Sequence, residues 1–108
     1  MAVKEAYLEF VKEQLEPIGS FDTKKMFGGV GFFMDGIMFA LIAKGVFRFR
    51  VDQANQLDYE AKGMEPYRTK PNTKGMPYWE VPVDVLENRD ELKIWAEKAI
   101  EVAVRNKK

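Results

Sequence analysis

The chain contains neither cysteine nor histidine. The first absence rules out disulfides and thiolate chemistry and fits a reducing cytosol. The two together remove zinc sites of the usual kind and every acid–base or triad mechanism that runs through an imidazole. Charge of one sign is not in excess either. Lys plus Arg and Asp plus Glu number 17 each, so no global field draws the protein to nucleic acid or to a membrane surface. The N-terminus lacks the basic-then-apolar pattern of a secretory signal, and no apolar run approaches the roughly 20 residues that span a bilayer. What remains is a cytoplasmic protein of one domain, residues 1–108, large enough for a single core.

The richest stretch is Met26 to Val51, MFGGVGFFMDGIMFALIAKGVFRFRV. Val30 to Met34 is apolar and rich in aromatic and β-branched residues, and Asp35-Gly36 follows at once. Ile37 to Ala43 is an unbroken apolar run closed by Lys44-Gly45, and Val46 to Val51 alternates, with Phe47, Phe49 and Val51 opposite Arg48 and Arg50. Asp-Gly supplies the positive φ angles of a two-residue hairpin turn, so this stretch predicts an antiparallel meander. A strand with one wet face should alternate. Ile37–Ala43 does not: period two puts Phe39, Leu41 and Ala43 on one face and Met38, Ala40 and Ile42 on the other. That strand therefore needs cover on both sides, one from the chain's own helices and the other from a loop, a short helix or a second subunit.

Around the meander, Val3, Tyr7, Phe10, Val11 and Leu15 fall at helical spacing over residues 3–15, and Pro17 with Gly19 ends that helix. Phe21 to Phe27 reads as a first strand. Asp52 is placed to cap a short helix over Gln53–Lys62, with Leu57 and Ala61 four apart and Gly63 at its end. Pro66–Lys70 and Met76–Val81 read as short strands on either side of a loop, and Pro82–Leu86 as a single turn. Asn88, with Glu91 three residues on, caps a final helix from Arg89 to about Arg105, in which Ala96, Ala99 and Ala103 permit close packing on a sheet. Consecutive strands joined by hairpins, between flanking helices, make the class α+β with an antiparallel sheet.

Little in this pattern carries chemistry. Gly28, Gly29 and Gly31 would cradle a phosphate only if they opened a helix, and strand residues follow them, so they read as a bulge or a close approach of a helix to the sheet. Glu80, Asp84, Glu87, Asp90 and Glu91 cluster where a helix begins, which suits its dipole better than it argues for paired-carboxylate catalysis or magnesium. Trp79 and Trp95 read as core. No catalytic, metal-binding or cofactor-binding residue is assigned. Two binding surfaces remain. Met38, Ala40 and Ile42, with the alternating Arg48 and Arg50 at the rim meeting a partner's acids, form a candidate protein interface or two-fold dimer contact. Arg68, Lys70 and Lys74 lie in a basic segment, 62–75, beside Tyr67 and Tyr78. With the tail residues Arg105, Lys107 and Lys108, they make the alternative, a direct nucleic-acid contact.

Met26-Phe27-Gly28-Gly29-Val30-Gly31, then Asp35-Gly36 with Met38-Phe39-Ala40-Leu41-Ile42, and later Tyr78-Trp79-Glu80-Val81-Pro82 with Leu86 and Asp90-Glu91-Leu92, resemble the N-terminal domain of the TfoX/Sxy family of bacterial competence regulators. The resemblance runs over about residues 5–102. It implies an α+β fold similar to that of type III secretion chaperones. It further implies a role in transcription regulation through protein contact, since full-length members act with the cyclic-AMP receptor protein as co-activators, without known catalysis. The present sequence ends at Lys108, where those proteins continue into a second, helical domain. The expectation is a non-enzymatic regulatory protein–protein interaction module with a protein partner, possible as a homodimer, without cofactor or membrane.

Overall fold

The structure, a computed structural model, describes residues 4–26, 28–68 and 75–107. Its elements run α1 (Glu5–Gln14), a 3-10 turn (Glu16–Ile18), β1 (Asp22–Met26), β2 (Gly29–Met34), β3 (Ile37–Ala43), β4 (Val46–Arg50), α2 (Gln56–Glu60), β5 (Tyr78–Glu80), α3 (Val83–Leu86) and α4 (Arg89–Arg105). The five strands form one antiparallel sheet in chain order, β1-β2-β3-β4-β5, as the α+β reading requires. Asp35 and Gly36 have φ of 51° and 81°, and Lys44 and Gly45 have 52° and 75°. Positive φ at both central residues matches the right-handed twist of the flanking strands. Among the described residues, no helix is long and apolar enough to cross a membrane.

One face of the sheet is closed by the chain itself. Val30 and Phe32 of β2, Phe39, Ala40 and Ile42 of β3, Phe47 and Phe49 of β4 and Trp79 of β5 pack into a single core with Leu8 and Val11 of α1 and Leu92, Ala96, Ala99 and Ala103 of α4. The alanine stripe of α4 does what its spacing suggests and brings that helix down onto β3 and β4. Asn88 caps α4 by accepting from the Glu91 amide at 3.1 Å. At its other end Arg105 donates to both carboxylate oxygens of Asp52, at 3.2 and 2.9 Å, and Asn106 donates to Asp52 at 3.1 Å. Those bonds, with the Ala54 amide, outweigh the opposing effect of burial and hold the Asp52 carboxyl below its ordinary pKa.

The structure corrects the two faces assigned to the middle strand. Along β2 and β3 the pairing runs Gly31↔Leu41 and Phe32↔Ala40, then shifts by one residue to Phe33↔Met38. Phe39 is the extra residue of a β-bulge, and a bulge re-aims the side chains on either side of it. Phe39, Ala40 and Ile42 therefore all enter the core, each at 0% exposure, while Met38 and Leu41 share the opposite face. Ala40 and Ile42, expected as partner-interface residues, are consumed by the chain's own core. Period two fails here because it assumes an unbroken ladder.

Other expectations shift less. Asp52 accepts from the Ala54 amide at 2.8 Å in the turn ahead of α2, rather than capping the helix itself, which begins at Gln56. Leu57 is 75% exposed and Tyr59 faces inward instead. Its ring meets Trp95 at 4.7 Å and Trp79 at 6.2 Å between centroids. Pro66–Lys70, expected as a strand, shortens to one bridge, Pro66↔Trp79, and its last two residues lie outside the described ones. Gly28, at φ 76°, turns the chain between β1 and β2. Gly29 lies directly under the Ile42 carbonyl, so the close approach is to a neighbouring strand and not to a helix.

Two consequences can be measured by urea denaturation. Gly29→Ala places a methyl on the Ile42 carbonyl oxygen, where backbone cannot yield. It should cost well over the about 1 kcal/mol of an ordinary glycine replacement. Gly31→Ala should cost less, because its nearest neighbours are side-chain atoms that can shift, the Met38 sulfur at 2.9 Å, the Phe33 ring edge at 3.0 Å and the Met26 sulfur at 3.2 Å, and not backbone. The buried hydroxyl of Tyr59 has no hydrogen-bond partner among the described residues. Tyr59→Phe should therefore be neutral or stabilising by up to about 1 kcal/mol. A clear loss would mean that the hydroxyl is satisfied.

Candidate functional site

Outside the bulge, the strands that present an inner residue at one position present an outer one at the next, and among the described residues no helix packs on the outer face. From β2 and β3 it receives Phe33, Met38, Leu41 and Ala43, all half-buried. From β4 and β5 it receives Arg48 opposite Glu80 and Arg50 opposite Tyr78. The face is thus apolar toward its centre and basic toward β5.

The basic half is roofed at one edge by the chain segment after α2. The Tyr67 amide donates to the Tyr78 carbonyl at 2.8 Å, and the Met76 amide donates to the Tyr67 carbonyl at 2.7 Å. This pairing, with the Pro66↔Trp79 bridge, covers the free edge of β5 and brings the Tyr67 ring over the outer face. The Arg48 guanidinium stacks on that ring, 4.4 Å from its centroid, and the Arg50 guanidinium lies 5.7 Å from the Tyr78 centroid. The Tyr78 hydroxyl donates to the Met38 carbonyl at 3.4 Å, tying the basic half to the apolar half. Between Lys44, Arg48, the 63–68 segment and Glu80 lies a cleft of about 280 Å3.

The electrostatics of this face are set by burial more than by ion pairing. Burial lowers the Arg48 pKa, opposed by Glu80, Tyr67 and Tyr7, and a guanidinium so shifted is still a cation at neutral pH. Burial raises the Tyr78 hydroxyl, opposed by Arg50. The Nε atoms of both arginines are buried without a hydrogen-bond partner among the described residues. Neither side chain forms an ion pair with a described residue.

The structure separates the expected site residues. Met38, Arg48 and Arg50 come together on the outer face, while Ala40 and Ile42 leave it. Leu41 and Phe33 join them, residues that strict alternation assigned elsewhere or did not consider; Leu41 was hidden by the bulge. Of the basic segment, Arg68 meets Glu65 at 3.5 Å and Lys62 meets Asp84 at 2.6 Å, while Lys70 and Lys74 lie outside the described residues. Arg105, from the tail, is committed to Asp52. The acids of residues 80–91 do not converge. The Lys62 hydrogen bond holds the exposed Asp84 carboxyl below its ordinary range. Among the described residues no group of three or more acids could hold a metal ion.

The Arg48–Tyr67 stack can be tested directly. A double-mutant cycle with Arg48→Ala and Tyr67→Ala should give a coupling of about 0.5–1 kcal/mol in unfolding free energy. Strict additivity would mean that the two side chains do not stack in solution.

Residues 13–103 match the protein-family model described as the TfoX N-terminal domain. No curated protein matches the chain.

Proposed function

The chain belongs to the TfoX N-terminal domain family, and we propose that it is a non-enzymatic regulatory module that works by protein–protein contact through the outer face of its sheet. The observation that carries this reading is the asymmetry of the sheet. Its inner face is filled by α1 and α4, whereas its outer face leaves Phe33, Met38 and Leu41 half-buried beside two arginines without acidic partners among the described residues. Apolar surface next to well-placed guanidiniums is the composition of a protein interface, in which aromatic residues, Met and Arg are enriched. Transcription regulation and the competence role, which the family resemblance suggests, and the cytoplasmic setting expected from the sequence are part of the proposal. So is self-association through the same face, now resting on Met38 and Leu41 in place of the three residues that period two selected.

Direct nucleic-acid binding is the weaker reading. Lys62, Arg68 and Arg105 already face acids of the same chain, and a neutral protein lacks the field that phosphate recognition ordinarily uses.

A photo-reactive amino acid placed at Met38 or Leu41 should cross-link a protein in extracts of the source cell, and the same group at exposed Lys93 on α4 should not. Met38→Asp in the cross-linker at Leu41 should abolish the product. In sedimentation, any dimer of the wild type should be lost in Met38→Asp. Equal labelling from all three positions, or a nucleic-acid adduct in place of a protein, would overturn the reading.

A further inference from the structure

Arg48 and Arg50 are two residues apart on one strand and face the same way, so their Cα atoms lie about 7 Å apart by strand geometry. Each guanidinium rests against a tyrosine ring, at 4.4 and 5.7 Å. Stacking fixes the plane of a guanidinium and leaves its N–H edge directed outward, which is the geometry that grips a carboxylate with two parallel hydrogen bonds. The Nε of each is buried and without a partner among the described residues, so a carboxylate would meet each guanidinium through its terminal Nη groups. Among the described residues no acid pairs with either arginine. Glu80 stands opposite Arg48 in register without forming an ion pair, and residues 69–74, TKPNTK, include no acid.

We propose that Arg48 and Arg50 seat two carboxylates of an acidic, extended segment of the protein partner, spaced as residues i and i+2 of a strand, beside the apolar surface of Met38 and Leu41. This rests on the reading of the outer face as a partner surface and adds the chemistry of what binds there. The local charges favour a discrete pair of carboxylates over a polyanion. The cleft beside Arg48 holds Lys44, Arg48 and Arg68 but also Glu65 and Glu80. A phosphate backbone, charged at every step, would meet those two acids, whereas two carboxylates about 7 Å apart on the arginines need not.

The Nε–H signals of arginine can be observed directly by 15N NMR on the whole chain. The probe is the peptide Glu-Val-Glu-Val-Glu, acetylated and amidated, with its Gln-for-Glu twin and a thymidine hexanucleotide as comparisons. The acidic peptide should move the Arg48 and Arg50 signals together and saturably, and the Gln twin should not. Arg48→Gln and Arg50→Gln should each weaken binding at least tenfold. Arg48→Lys, which keeps the charge but not the fork, should weaken it several-fold, and it serves if either Gln variant melts early. No saturable shift, equal shifts with the Gln twin, or shifts unaffected by the variants would refute the carboxylate seat. Tighter, arginine-dependent binding of the hexanucleotide would replace it with a nucleic-acid surface. If cross-linking from Met38 and Leu41 still captures a protein after the peptide test fails, the partner surface stands and only its carboxylate chemistry falls.

Discussion

The shift of one residue in the pairing of β2 with β3 decides what this molecule exposes. An unbroken ladder would put Phe39 on one face and Ala40 on the other. With Phe39 as the extra residue, both drop into the core beneath α4, and Ile42 follows them. The same shift leaves Met38 and Leu41 on the far side, next to Arg48 and Arg50. One strand thereby feeds a dense inner core and still supplies an outer surface, which resolves why a seven-residue strand carries no polar residue at all. A buried Phe or Ile contributes roughly 1.5–3 kcal/mol by removal from water, so the core has every reason to keep the bulge.

Closure of the inner face follows from that arrangement. Ala96, Ala99 and Ala103 are small enough for α4 to sit close to β3 and β4, and the ring stack of Tyr59, Trp79 and Trp95 ties α2 into the same core. Among the described residues the outer face has no equivalent. Its only cover among the described residues comes from the Pro66–Tyr67 segment at the β5 edge, and that cover aligns Tyr67 with Arg48 rather than hiding it. Rigidity on one side and a prearranged, partly apolar surface on the other are what a binding module requires, since little side-chain entropy is left to lose on contact.

Much of this was legible in the residues. Asp35-Gly36 names its turn because few pairs tolerate positive φ at both positions, and Lys44-Gly45 signals the next one less strongly, through its glycine. Asn88 and Glu91 mark the start of α4, and the alanine stripe marks the side it buries. The family pattern, MFGGVG with YWEVP, was readable for the same reason: Gly29 is held by a steric contact with the Ile42 backbone, and Trp79 and Val81 by the core. What was not legible depends on contacts far apart in sequence. No local pattern announces an extra residue in β3, and Leu57 is as apolar as any core residue although Tyr59 is the one that reaches Trp95. The stacking of Arg48 on Tyr67 likewise needs the 66–67 segment to lie along the edge of β5 before the guanidinium and the ring can meet.

The central claim is that the sheet has one sealed face and one accessible face, divided by the bulge at Phe39. Hydroxyl-radical footprinting of the purified protein, read residue by residue in a mass spectrometer, tests it most directly. The account predicts that Met38, Leu41 and Phe33 are oxidised while Phe39, Ile42, Phe47 and Phe49 are protected. Protection of Met38 and Leu41 to the level of Phe47, or oxidation of Phe39 alongside Leu41, would contradict it.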